Sequence, residues 1–415
     1  MGLAEEARKA AQCMTEEEYV RLLVRRDADG LAAASVLAIA LDREGVDLHA
    51  TFAWELLEDD LRRLDEERPA VLVTVGLGAD VLPDLARLGG RLVIVDGADS
   101  PDGAEPAEGA LLSPFAAEHA GEPSVASLAL VVARAISRRN ADLAGLALAG
   151  ARASAGPPAA LRGLDAEILA EAVGEGRLTR GPPLAWPETV LELLASGVEP
   201  LVPSLAGRAR AGKRFLDELK IDADQPASSL DEDRRRLLAD RLVRRALATG
   251  AAVAVADGLL EPDLRATSGP FAGAPLREVA SRLAAAAETA PADALAHALG
   301  HADAPLPRED PARSLHGLLA ASRGGAFAVA EAPTPALLAE TVRRLHVTDP
   351  TRPAVAWAPL DGKAALRILG VAGSTVAEAA RACGGRGAGS ATRGRALVPA
   401  EQRESMLGVL GGLLQ

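Results

Sequence analysis

Asp27 and Asp29 stand one residue apart in Arg25-Arg26-Asp27-Ala28-Asp29-Gly30, where a run of branched residues gives way to an alanine-rich one. Two carboxylates so spaced at a strand-to-helix junction can share a divalent cation, because hard oxygen ligands converge from one short turn. The same two residues also suit a plain helix start, where aspartate accepts from unpaired N–H groups and complements the dipole. Asp96 follows a second apolar run, Val93-Ile94-Val95, and offers a third carboxylate. Arg386, Arg393 and Arg395 lie among glycines between residues 384 and 395. They could cradle a phosphate with backbone amides and guanidinium forks, or simply form a solvated turn. His297 and His301 have a helical metal-pair spacing, but Gly300 weakens the helix and no glutamate accompanies them, which favours a surface helix end.

Short Val, Ile and Leu runs bounded by turn residues read as buried strands of a parallel sheet. YVRLLVRR, DLHATFAW, AVLVTVG and RLVIVDGA are four such runs. Between and after them GLAAASVLAIALDREG, ELLEDDLRRLDEER, LGADVLPDLARLG and SVASLALVVARAISRR read as helices. The alternation predicts a doubly wound α/β domain over residues 1–175. Ligands of such sheets gather at the carboxyl tips of the strands, and Asp27, Gly76 and Asp96 all fall there. Residues 176–310 form a mainly helical linking or partner-binding segment with the charged run LDEDRRRLLADRLVRRAL, read most simply as a solvated helix face. Residues 311–415 return to a smaller α/β domain: strands GAFAVAEA and PAVAWAPL, helix PALLAETVRRLHV, then GSTVAEAARAC, the glycine-rich loop and a closing helix.

With 45 basic against 58 acidic side chains the net charge is -13, so any nucleic-acid contact must come from a local basic patch. Four of the basic residues are lysines, Lys9, Lys213, Lys220 and Lys363, and the rest are arginines. Cys13 and Cys383 are distant in sequence and form no CxxC, which supports neither a disulfide framework nor a zinc knuckle. No apolar run reaches about 18 residues, and the first residues lack a signal-peptide core; a cytoplasmic protein without membrane contact is expected.

RRDADGLAAASVLAIAL resembles the opening motif of the DHH phosphoesterase family, the group of the RecJ single-strand exonucleases. VLVTVGLGAD is similar to the second motif, VIVDGADSP to the third and NADLAGLALAGARASAG to the fourth. CGGRGAGSATRGRALVP resembles the glycine-rich loop of the DHH-associated domain. The stretch from GRLTRGPPLAWPE to FLDELKID resembles the linker of archaeal RecJ-like proteins, which include the GINS-associated nuclease and the archaeal counterparts of eukaryotic cell-division-cycle protein 45.

The resemblance implies a two-metal site, and the motifs of this chain depart from it position by position. Arg25 stands for the histidine of motif I, while Asp27 and Asp29 remain. Gly76 stands for the aspartate of motif II. Asp96-Gly97-Ala98 replaces Asp-His-His, Ser154 the aspartate of motif IV, and Ser390 the histidine of the glycine-rich loop that helps grip substrate. A shift of alignment by a residue leaves motifs II and IV without Asp or His, and Asp99 adds at most one carboxylate to motif III. Two-metal hydrolysis needs ions roughly 4 Å apart held by several ligands each. The expectation is a vestigial metal site, Asp27, Asp29 and Asp96, neutralised by arginine in place of metal, with Arg25 and Arg26 placing positive charge beside the carboxylates.

By resemblance, the chain is expected to be an inactive RecJ-like scaffold, without a cofactor, associated with the GINS complex and the MCM helicase in archaeal DNA replication. Single-stranded DNA is a further expected contact, through Arg386, Arg393 and Arg395. Two alternatives stand beside it: a single-strand-specific exonuclease or phosphodiesterase using manganese or magnesium at a reduced site, and a non-catalytic subunit of an active RecJ-like paralogue.

Overall fold

The computed structural model describes residues 2–100, 106–114, 122–155, 161–184, 188–196, 202, 204–248, 259–301, 326–348 and 351–414. Its first unit opens with α1 (Leu3–Thr15), β1 (Tyr19–Arg25), α2 (Ala28–Asp42), β2 (Asp47–Ala53), α3 (Glu58–Glu67) and β3 (Val71–Val75). After the short α4 (Leu82–Leu85) come β4 (Arg91–Val95), β5 (Gly109–Leu112), α5 (Val125–Ile136), α6 (Ala144–Ala155) and α7 (Gly163–Gly174). The five strands form a sheet in the order β2-β1-β3-β4-β5, parallel throughout. The expected N-terminal α/β sheet is therefore present, with β5 and α1 in addition. GALL in β5 is too short to stand out as a strand.

Helix α2 is buried on every side from Ala28 to Leu41, which its alanines allow by letting neighbours approach closely. It lies against α5 and α6, and Gly150 of α6 closes the contact: a Cβ there would lie 2.6 Å from the methyl of Ala32 and 2.7 Å from that of Ala126. This packing fixes the start of α2, where Asp27 caps the helix by accepting from the N–H of Gly30 at 2.8 Å.

The middle of the chain supplies β6 (Leu178–Gly181), α8 (Val190–Ser196), α9 (Ala209–Leu219), α10 (Glu232–Ala248) and β7 (Asp263–Ala266), then α11 (Leu276–Thr289) and α12 (Pro291–Ala298). β6 and β7 pair as an antiparallel ribbon. Leu193, Phe215, Leu216, Leu238 and Leu242 build a separate small core for α8–α10. Leu276, Val279, Leu283 and Ala294 of α11 and α12 instead join the core of the first unit. The change of unit expected at residue 310 lies outside the described residues.

The last unit runs β8 (Ala328–Glu331), α13 (Leu338–Thr348), β9 (Ala354–Leu360), β10 (Lys363–Leu369), α14 (Gly373–Ala382), β11 (Arg386–Gly389), β12 (Arg393–Pro399) and α15 (Arg403–Leu413). The sheet order is β11-β12-β10-β9-β8, antiparallel except for β8 with β9. Here the sequence reading needs correction: the glycine-rich stretch is a β-hairpin, not a loop, with Arg386 opposite Leu397 and Gly389 opposite Gly394. Its glycines let the hairpin lie on α14, where larger side chains would collide. Among the described residues no helix is long and apolar enough to cross a membrane.

Candidate functional site

The carboxyl tips of β1, β3 and β4 meet the β11–β12 hairpin of the last unit, and the charged residues of both sides are buried together. Arg395 is 5% exposed and Asp96 fully buried. Arg395 donates to both oxygens of Asp96, from Nη1 at 3.0 Å and from Nη2 at 2.6 Å. Nη2 also reaches Asp80 at 2.9 Å and Nη1 the carbonyl of Gly76 at 2.8 Å. Arg386 donates to the other oxygen of Asp80 at 2.9 Å. Asp96 accepts in addition from the backbone N–H groups of Ala79 and Ala98, both at 3.2 Å.

Arg25 occupies the other side of the same carbonyl. Its Nε donates to Asp27 and its Nη1 to Gly76 at 3.2 Å. Gly76 adopts φ +72°, a left-handed conformation open to glycine, and a Cβ there would lie 3.1 Å from that of Arg25. An aspartate at this position would be strained and would crowd the guanidinium. Arg25 and Gly76 therefore fit each other sterically. Asp29 accepts from the N–H groups of Val125 and Ala126, at 3.1 and 3.0 Å, at the start of α5. Gly97 lies beside Val125 and the Pro123 carbonyl, and Ala98 is buried with Ala79 and Ala388, so the hairpin fills the space an imidazole would need. Ser154 is half-buried near the end of α6 and takes no part in these contacts.

The placement of several residues corrects the sequence reading. Arg26 does not sit beside the carboxylates: it donates to the carbonyls of Ala287 and Glu288 and stacks 4.7 Å from the centre of the Trp54 ring. Asp80 belongs to the site although it lies four residues beyond Gly76, too far for motif spacing to select it. The turn through Gly78, at φ +105°, brings it back, and Val-Gly-Leu-Gly-Ala-Asp is the available signal. The three arginines of the hairpin do not line a solvated loop. Arg386 and Arg395 face Asp80 and Asp96, and Arg393 pairs with Glu122 at 2.6 Å. Ser390 donates to that same Glu122, which also accepts from Thr392 N–H at 2.7 Å.

Burial raises Asp29, with Asp27 adding to it against the weaker pull of Arg25, and the carboxyl group titrates at about 6. Burial also works to raise Asp80, but Arg395 and Arg386 outweigh it and hold the group below the ordinary carboxylate range. Burial opposes the charge of Arg395, yet Asp96, Asp80 and Glu55 keep its pKa well above the usual value.

These donors do not fit a metal pair. Asp80 and Asp96 spend their oxygens on guanidinium and backbone N–H groups, Asp29 on backbone N–H groups, and Asp27 on Arg25 and Gly30. Among the described residues no three His, Cys, Asp or Glu side chains are grouped to hold an ion. The crevice between Arg25, Trp54, Glu55 and Arg367 measures about 10 Å³, room for roughly one water.

No protein-family model matches the chain, and no curated protein matches it in sequence. Its fold does match solved structures. CDC45 from Entamoeba histolytica superposes with a TM-score of 0.57 at 10% identity, over 99% of this chain and 98% of that one. RecJ from Thermus thermophilus, in complex with Mn2+, gives 0.51 at 17% identity over 99% of this chain and 54% of its own, so the chain spans about half the length of that RecJ. The DHH domain of a member of a ribosomal-protein family gives 0.50 at 14% identity, over 99% and 91%. The class is thus the fold of the DHH phosphoesterases, with a parallel sheet at the N-terminus, a helical middle and a mixed C-terminal sheet. Within it, this chain is structurally similar to both RecJ and CDC45.

Two outcomes are expected of this site. Arg395→Ala should lower stability by about 3–5 kcal/mol, because it strands the buried Asp96 and leaves Asp80 with Arg386 alone. Adding Asp80→Asn and Asp96→Asn should recover part of that loss in urea melts; equal stability of wild type and Arg395→Ala would contradict the clamp. For Asp29, the native group keeps its proton up to about 6, whereas an ordinary aspartate loses it at 3.8. The native state then binds more protons in that window, so stability falls as pH rises through it, by roughly 3 kcal/mol at most. Asp29→Asn should flatten the profile of urea midpoint against pH between those values, and an unchanged profile would refute the assignment.

Proposed function

We propose that the chain is a catalytically inactive RecJ-like protein that serves as a scaffold, associated with GINS and the MCM helicase in archaeal DNA replication. The observation that carries this reading is Arg395, buried between Asp80 and Asp96, the latter one of the carboxylates that the resemblance assigns to metal. A guanidinium neutralises carboxylates but supplies neither an open coordination position nor an acidified water, which metal-assisted hydrolysis requires. Arg25 on Asp27 and the packed Ala98 support the same conclusion. The likeness to CDC45 along nearly the whole of both chains supports a role resting on the architecture rather than on hydrolysis. Folds persist while the sites on them change.

Contact with single-stranded DNA through Arg386, Arg393 and Arg395 is disfavoured by their engagement with Asp80, Glu122 and Asp96. Of the alternatives, a reduced metal site conflicts with the saturated donors, whereas partnership with an active paralogue uses the same inactive architecture. The test combines a nuclease assay with capture from the native host. Purified protein with manganese should leave a labelled single strand intact, and the tagged chain should retain GINS and MCM subunits. Robust manganese-dependent degradation would overturn the reading, and capture of a paralogue with intact DHH motifs instead of GINS would replace it with the partner-subunit reading.

A further inference from the structure

One face of the C-terminal sheet gathers cations. Alternation along β10 and β12 puts Lys363, Ala365 and Arg367 on the same side as Arg393, Arg395 and Leu397. Arg386 joins them, since it lies opposite Leu397. Among the described residues, α13 packs over this face at β8, β9 and β10 through Leu338, Val342 and Leu345, while α14 and α15 cover the reverse face. The part of the face from β10 to β11 meets the first unit instead. It carries the arginines, and Arg367 stands directly opposite Arg395 in the register. Like charges so placed on neighbouring strands destabilise a sheet.

The first unit supplies the compensation, and supplies it with one sign. Besides the contacts of Arg386, Arg393 and Arg395, Arg367 pairs with the buried Glu55 at 2.7 Å and Lys363 with the exposed Glu58 at 3.3 Å. In each of these pairs the cation belongs to the last unit and the carboxylate to the first. Apolar contact across the seam is slight by comparison. Ala79 and Ala98 meet Ala388, and Leu57 rests against the core under α13, whereas each unit keeps a larger core of its own. Relative motion is the ordinary behaviour of units joined by a polar interface. Buried ion pairs roughly balance their desolvation, so separating the faces costs little once counterions can take the partners' places.

We infer that the seam is an electrostatic latch, which releases the last unit from the first as ionic strength rises while both units stay folded. Opening separates a basic face from an acidic one, and each face then gathers counterions from solution. The open population therefore grows with salt, because screening weakens the attraction that closes the seam. An apolar seam would not loosen with salt. The latch is independent of which partners the chain retains.

Hydrogen exchange on the full chain tests this, read at seam amides and at strand amides in the same sample. The Asp99 N–H bonds the Gly389 carbonyl and the Thr392 N–H bonds Glu122, so both lose their acceptors on opening. Relative to amides in the middle of β1 and β3, their exchange should quicken at least about tenfold between roughly 0.05 and 1 M sodium chloride. Arg367→Glu should quicken it at low salt, and Lys363→Glu at the exposed rim to a smaller extent. Adding Glu55→Arg to the first and Glu58→Lys to the second should reverse each effect, with far-ultraviolet circular dichroism unchanged throughout. Seam amides that exchange only together with the strand amides, at every salt concentration, would overturn the latch, because the units then part by global unfolding alone. Seam exchange that ignores salt, or acceleration that the charge swaps leave in place, would overturn it as well.

Discussion

The buried guanidinium of Arg395 sits at the centre of the seam between the N-terminal and C-terminal sheets. Arg395 comes from the C-terminal sheet, crosses to the tips of the N-terminal one, and is held there by Asp96, Asp80 and the Gly76 carbonyl. A buried pair of this kind gives little net stability over an apolar contact, because desolvation offsets most of the attraction. Its consequence is geometric. The planar fork must meet two carboxylates and a carbonyl at once, which fixes how the hairpin sits on the strand tips. The Asp99 N–H bonding the Gly389 carbonyl at 3.0 Å and the cluster on Glu122 hold the same seam.

Once Arg395 is in place, the residues around it become mutually consistent. Gly76 leaves room for Arg25 as well as a carbonyl for both arginines. Ala98 lets Ala388 approach, where a bulkier side chain would push the hairpin away. Ser390 secures the hairpin turn through Glu122. Asp29 acts as a structural acceptor, satisfying two N–H groups of α5.

The strands and helices of the first unit are legible in sequence because buried parallel strands are short apolar runs and α2 is an unbroken alanine-rich stretch. The hairpin is not legible. Glycines that press two strands onto α14 look, in sequence, like the glycines of a loop. The arginine beside Asp27, Arg25, is readable, but the one that meets Asp96 is not. Arg25 and Arg26 adjoin the aspartates in sequence, while Arg395 reaches Asp96 from 299 residues away, and local spacing carries no signal of that. Asp80 is hidden for the same reason, since a turn with positive φ at Gly76 and Gly78 returns it to the site.

Arginine and backbone N–H groups, rather than a metal, satisfy the carboxylates at the strand tips. Electron paramagnetic resonance of manganese titrated into the purified chain tests it directly, because protein-bound ions lose the free-ion signal. The free signal should grow in proportion to added manganese from the first addition. Loss of one or two equivalents of signal at micromolar manganese, restored by Asp96→Asn, would contradict it.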